Sequence, residues 1–169
     1  MNERSRPLKT FADIMTKVGS FLFYWSGLEQ GLTNAIAEMR ASLGEDAKPV
    51  KGNLAKRLDI WVQLMERNVS DNEHLGVAMK VVTQALAIKD VRNIIVHGLR
   101  AGSSDDGPAF IECAIGGYED PTGEIVRYSL IDLEHYTQGI DACRRAFIDL
   151  SYFNYVLDLP ITQHRTGND

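Results

Sequence analysis

Arg92, Asn93 and His97 are the residues whose types and spacing can do chemistry. They interrupt the aliphatic run Val91-Arg92-Asn93-Ile94-Ile95-Val96-His97-Gly98 with a guanidinium, a carboxamide and an imidazole. A guanidinium presents a fixed fork of N–H donors to an anion, and histidine is the side chain that changes charge near neutral pH. On a helical wheel of about 100° per residue, Leu75, Met79, Val82 and Leu86 share one face, which Asp90, Asn93 and His97 continue. Val77, Val81, Ile88, Val91 and Ile95 cover much of the opposite side. The last turns are therefore apolar nearly all round, as in a buried or interface helix, yet a polar stripe and Arg92 are set into them. Buried polar groups are costly unless paired, so the cluster has either structural partners or a function. The structural duties open to it are an ion pair to an acid for Arg92, a bond to a neighbouring helix for Asn93, and capping of nearby helix carbonyls for His97. Glu29, one turn after Trp25 on an apolar helix, is the acid that can pair with Arg92, solvent being its alternative.

The helix that positions this cluster is the best marked in the chain. Ser70-Asp71-Asn72-Glu73 reads as a capping box, the periodic stretch runs to His97, and Gly98 is the stop. Upstream, residues 11–43 place Phe11, Ile14, Met15, Val18, Phe21, Leu22, Trp25, Leu28, Leu32, Ile36, Met39 and Leu43 at helical spacing, with Thr10 as N-cap and Gly44 just past the end. Gly19, Gly27 and Gly31 within this stretch either admit another helix closely or mark a break. Asn53 opens a shorter helix with Leu54, Leu58, Trp61, Leu64 and Met65 inward, ending near Asn68. Downstream, Gly102 to Pro108 is a loop. Residues 110–116 and 124–130 read as two strands around a tight turn at Asp120-Pro121-Thr122-Gly123. A last helix from Asp132 carries Leu133, Tyr136, Ile140, Cys143, Phe147, Leu150 and Phe153 and ends before Pro160, leaving a polar tail. The expected fold is mainly α, a four-helix bundle with a β-hairpin (about 110–130) inserted between helices 3 and 4.

The run from Val91 to Gly98 closely resembles the signature of HEPN domains: an arginine, usually followed by a polar residue, then four to six positions to a histidine. Here four residues separate Arg92 from His97. The resemblance extends to the bundle order and implies one HEPN-like domain over residues 1–169, with the motif late in the third main helix and a polar tail at about 161–169. It further implies a metal-independent endoribonuclease without a cofactor, a toxin or defence component, whose dimer brings two Arg/His sets into one cleft. In that case Arg92 holds the scissile phosphate and stabilises charge developing on it. His97 is the general acid or base for attack by the ribose 2′-OH, its place at a helix C-terminus favouring the imidazolium. Asn93 orients His97 or the phosphate, and Asp90 and Glu29 support the set. Some HEPN domains are nucleotide-binding or purely interacting modules, so a catalytically inactive dimer with a nucleotide or protein partner is the alternative.

Arg92 and His97 stand about 140° apart on an ideal helix, so one pair does not converge easily, which fits a composite site. The apolar circumference of Ile88, Val91 and Ile95, wider than one core needs, points the same way. The expected partners are a second copy through the C-terminal half of helix 3, RNA, and an antitoxin protein.

Composition narrows the classes further. The chain has 169 residues, 44% hydrophobic and 24% charged, as a globular domain does. MNERSRPLKTF has no apolar core of a signal peptide, and no run of about 18 apolar residues exists, so a cytoplasmic protein without a membrane segment is expected. Cys113 and Cys143 are expected as buried thiols. The net charge of −5 is uneven: residues 101–135 hold eight acids against Arg127 alone. That leaves a surplus of +2 elsewhere, and a locally basic surface away from the acidic segment. His74, His135 and His164 have no ligand spacing, and no CxxC, HExxH or carboxylate–histidine pattern suggests a metal. Gly116-Gly117 to Gly123 lacks the Gly-Lys-Ser/Thr of a phosphate loop and reads as hairpin punctuation. No Gly-x-Ser-x-Gly elbow is present. Phe21, Phe23, Tyr24, Trp25, Tyr152, Phe153 and Tyr155 are expected in packing rather than as a base-stacking platform.

Overall fold

A computed structural model of the chain describes residues 11–68, 72–100, 109–117 and 123–151. The sequence features at Thr10, Ser70-Asp71, residues 102–108, Asp120-Pro121-Thr122, Tyr152 to Tyr155, Pro160 and the polar tail, His164 included, lie outside them. The described residues form helices α1 (Phe11–Ser42), α2 (Leu54–Asn68), α3 (Asn72–Gly98) and α4 (Leu130–Ser151). Strands β1 (Leu99–Arg100), β2 (Phe110–Ala114) and β3 (Ile125–Ser129) stand between α3 and α4. The protein is mainly helical with a small antiparallel sheet, and no described helix is long and apolar enough to cross a membrane.

The chain divides into two compact units, residues 1–25 with 89–138, and residues 26–88 with 139–169. In the second, Leu28, Leu32, Ile36 and Met39 of α1, Leu58 and Trp61 of α2, Val81 and Ile88 of α3 and Ile140 and Phe147 of α4 are buried. Trp61 meets Phe147 edge-to-face at 4.9 Å and donates its indole N–H to Ser151 Oγ at 3.3 Å. Gly27 and Gly31 of the unbroken α1 are covered by the Arg144 side chain, its Cγ 3.1 Å from where a Gly31 Cβ would stand. Helix α1 stops as its sequence indicates. Gly44 takes φ +71°, and the Glu45 and Gly44 N–H groups donate to the Arg40 and Ala41 carbonyls at 2.9 and 3.0 Å, a Schellman motif. Asn53 caps α2 by accepting the Lys56 N–H at 3.0 Å.

The other unit holds the sheet, ordered β1-β2-β3 and antiparallel throughout. The expected hairpin is β2–β3, with Phe110 opposite Ser129 and Ala114 opposite Ile125. A third strand, β1, extends it, because the chain leaving α3 pairs at once, Leu99 with Cys113 and Arg100 with Glu112. Helix α4 begins two residues before the expected Asp132. Ser129 is its N-cap: Asp132 N–H donates to Ser129 Oγ at 3.2 Å and the Asp132 carboxylate accepts the Ser129 N–H at 2.8 Å. Ile14, Val18, Phe21 and Trp25 of α1, Val91 and Ile95 of α3, Ile111 and Cys113 of β2, Tyr128 and Leu133 are buried here.

Ile88, Val91 and Ile95 are 2%, 7% and 1% exposed, so the side of α3 read as surplus apolar surface for a second copy is occupied by the fold itself. Phe23 and Tyr24, expected in packing, are exposed and meet each other edge-to-face.

Both cysteines are free and buried as expected, and burial pushes the thiols up, to about 11 for Cys113 and about 12 for Cys143. Because the thiolate is the reacting form, neither will be modified by a disulfide reagent at pH 8 on the native protein, and both will be once it is unfolded. Titration of thiols before and after denaturant checks this; prompt labelling of either in the native state contradicts the burial.

Candidate functional site

The end of α3 positions the three residues differently. On the helical wheel Arg92 falls among Ala85, Ile88 and Ile95, the buried side, while His97 falls with Met79, Leu86 and Asp90. Arg92 is accordingly half-buried, with its stem on the core side, and His97 is exposed. Asn93, half-buried between them, accepts a hydrogen bond at its Oδ1 from Arg92 Nη1 at 3.1 Å.

The structural duties open to the cluster are not those it performs among the described residues. Arg92 has no ion pair there: its one hydrogen bond goes to a neutral carboxamide, and its Nε is buried without a partner. Asn93 bonds Arg92 rather than a neighbouring helix, and the His97 imidazole caps no described carbonyl. Glu29 does not supply the missing countercharge. It belongs to the other unit, where Arg57 holds it at 2.7 Å and also donates to the Glu29 main-chain oxygen and Thr33 Oγ1. Glu29 therefore leaves the candidate set: Arg57, one turn into α2, reaches it first. Asp90 is exposed and forms an ion pair of 3.3 Å with Lys89. It stands on the same side as His97 and touches neither Arg92 nor His97 in the contacts of the described residues.

The sheet fixes where α3 ends. A Cβ on Gly98 would stand 2.1 Å from the Ala114 carbonyl oxygen and 2.9 Å from its nitrogen, so the last turn of α3 lies directly on the end of β2. Gly98 is thus needed for close approach rather than as a left-handed stop beyond the helix. The chain continues past Ala114 into Gly116 and Gly117, at φ +95° and +84°, and Gly117 N–H donates back to the Ala114 carbonyl at 3.3 Å. This brings Gly117 against His97: a Cβ there would stand 3.3 Å from the His97 carbonyl oxygen and 3.8 Å from its Cβ. Read in sequence as hairpin punctuation, the glycine pair is part of the site. The one signal for it was the doubling of glycine itself, which marks a turn and not what the turn meets.

On the outward side of the sheet, Glu112 of β2 pairs with Arg127 of β3 at 2.8 Å, and the Arg127 guanidinium lies 4.9 Å over the Phe110 ring. Burial, then the charges of Tyr136, Cys113 and Asp132, raises Tyr128 well above the ordinary phenol range. Among the described residues no group of three or more His, Cys, Asp or Glu side chains is arranged to hold a metal ion. Among the described residues the arrangement thus offers a cation without a counter-charge, a carboxamide bonded to it, and a solvent-facing imidazole at a helix end. These groups can hold an anion and transfer a proton. Comparisons with protein-family models, with curated proteins and with solved structures find no match to this chain.

Proposed function

We propose that the protein is a metal-independent endoribonuclease of the HEPN type, with Arg92, Asn93 and His97 as its reacting set. The observation that carries this reading is that Arg92 stands half-buried with no carboxylate partner among the described residues, five positions before an exposed histidine. A half-buried guanidinium whose buried Nε has no partner among the described residues is costly in a stability-only account, and an incoming phosphodiester supplies an acceptor and a counter-charge. His97 then serves in proton transfer at the 2′-OH or the leaving oxygen, and Asn93 holds Arg92 in orientation. The four helices, with the sheet entering after α3, fit a HEPN-like bundle with its motif at the end of the third helix.

The divergence of Arg92 and His97 on one helix supports a site completed by a second copy. Ile88, Val91 and Ile95 are excluded from such an interface by their burial, so it would use the outward side of the last turns, with Asn93, Val96 and His97. A toxin or defence role with an antitoxin protein follows the same proposal. The alternative, a catalytically inactive dimer binding a nucleotide or protein partner, is favoured by one feature: Asn93 occupies an Arg92 N–H that a phosphate would otherwise take.

The test is incubation of purified protein with total RNA in EDTA, beside His97→Ala. Cleavage by the wild type alone, undiminished by chelation, is the expected result. Cleavage that disappears in EDTA and returns with Mg²⁺ or Mn²⁺ would mean a different mechanism, and no cleavage at all would leave the binding module.

A further inference from the structure

We infer that the Gly116-Gly117 turn positions His97, with Gly117 as a positioning residue for its imidazole; this rests on the reading of His97 as a proton-transfer group. Two contacts hold the end of α3. Gly98 lies on the Ala114 backbone, and Gly117 lies against the carbonyl and Cβ of His97 itself. The second contact is tight: the 3.3 Å left between a Gly117 Cβ and the His97 oxygen would force one of them to move by a few tenths of an ångström. His97 has no side-chain hydrogen bond among the described residues, so the direction of its Cα–Cβ bond is set by the backbone around it. Whatever fixes that backbone fixes the point and direction from which the imidazole swings. The turn does so, being tied to β2 by the Gly117 N–H bond to Ala114 and continued into the ladder by the Ile115 N–H bond to Glu124 at 2.8 Å. Proton-transfer groups must be held within about 0.5 Å of their productive place, so a displacement of this size falls in the range that matters.

Substitution at Gly117 adds backbone strain as well as the contact, because φ is +84°. Gly44 provides the matched control: its φ is +71° and a Cβ there would meet nothing within 4 Å, so Gly44→Ala carries comparable strain without touching His97. Gly117→Ala, Gly117→Asn and Gly44→Ala are to be compared with wild type. Asparagine tolerates the left-handed backbone, so Gly117→Asn carries the test should the alanine variant not fold. The first readout is the NMR position of the His97 imidazole, assigned by its loss in His97→Ala, with the other histidines as internal references. In both Gly117 variants His97 alone is expected to shift, and in Gly44→Ala it is expected to stay. The second readout is RNA cleavage, where kcat is expected to fall on the order of 10–10²-fold in the Gly117 variants with KM little changed. His97 resonances that move no more in the Gly117 variants than in Gly44→Ala would overturn the proposal. A wild type that cuts no RNA would remove the proposed activity, and the resonance comparison would still decide the positioning.

Discussion

Gly98→Ala is expected to lower the melting temperature sharply, by the equivalent of about 3 kcal/mol or more. Helix propensity alone gives the opposite sign, since alanine in place of glycine inside a helix gains about 1 kcal/mol. The contact decides. The new methyl would stand 2.1 Å from the Ala114 carbonyl oxygen and 3.0 Å from its carbonyl carbon, and these are backbone atoms inside an antiparallel ladder, with no rotamer to give way. Relief requires the end of α3 to lift from β2, which strips Leu99 and Arg100 from their pairing with Cys113 and Glu112. A loss of that size is a large fraction of the stability of an ordinary domain. Thermal and urea melts of Gly98→Ala against wild type are the measurement. An unchanged or raised midpoint would mean that propensity wins and that α3 does not lie on β2 as described.

The same position shows what a sequence can and cannot reveal. Gly98 was legible as the end of α3, and the end is there, but a glycine that stops a helix and one that admits a backbone look alike in one dimension. Local signals did well where the partner is local. Gly44 closes α1 and Asn53 opens α2 through bonds within a few residues, and the buried series along α1 follows its 3.6-residue period. Ser129-Leu130-Ile131-Asp132 is a capping box, hidden because Ser129 also closes a strand, so the sequence pattern places the start of α4 two residues late. Strand β1 is two residues long and exists only by pairing with β2, so no periodicity announces it.

Long-range choices were less legible. Glu29 has several arginines it can reach in principle, and only the packing of α2 selects Arg57. The apolar circumference of α3 was visible, but not which part is covered from within: Ile88, Val91 and Ile95 are buried, while Met79 and Val96 are 52% and 38% exposed. Of the expected site, the order of Arg92, Asn93 and His97 at the end of one helix was legible. The glycine turn beside His97 was not, because Gly117 comes 17 positions after Arg100, the last residue of β1, and meets the end of α3 only through the pairing of β2 with β1.

His97→Ala is expected to reduce RNA cleavage by on the order of 10²–10⁴-fold, and to leave RNA binding nearly unchanged. The side chain is exposed and makes no hydrogen bond among the described residues, so its removal costs the fold little, and a loss of rate will report chemistry. Arg92 demands a more careful series. Arg92→Ala should damage both cleavage and binding, since a phosphate-facing guanidinium acts in each. It also removes a stem that lies on the core side of α3, so part of any loss will be packing. Arg92→Met keeps an unbranched apolar stem and removes the charge, together with the buried Nε that has no partner. Its melting temperature should equal or exceed that of wild type, while cleavage and RNA affinity both fall. Arg92→Lys keeps the charge but loses the fork and the geometry of the bond to Asn93, and is expected to recover only part of the activity. The measurements are cleavage of a labelled RNA, its binding under non-cleaving conditions, and a thermal melt for each variant. In the binding-module reading, wild type cuts nothing and the Arg92 series changes only partner affinity or stability. Equal cleavage by wild type and a well-folded His97→Ala would remove the histidine from the reaction, and with it the proposed mechanism.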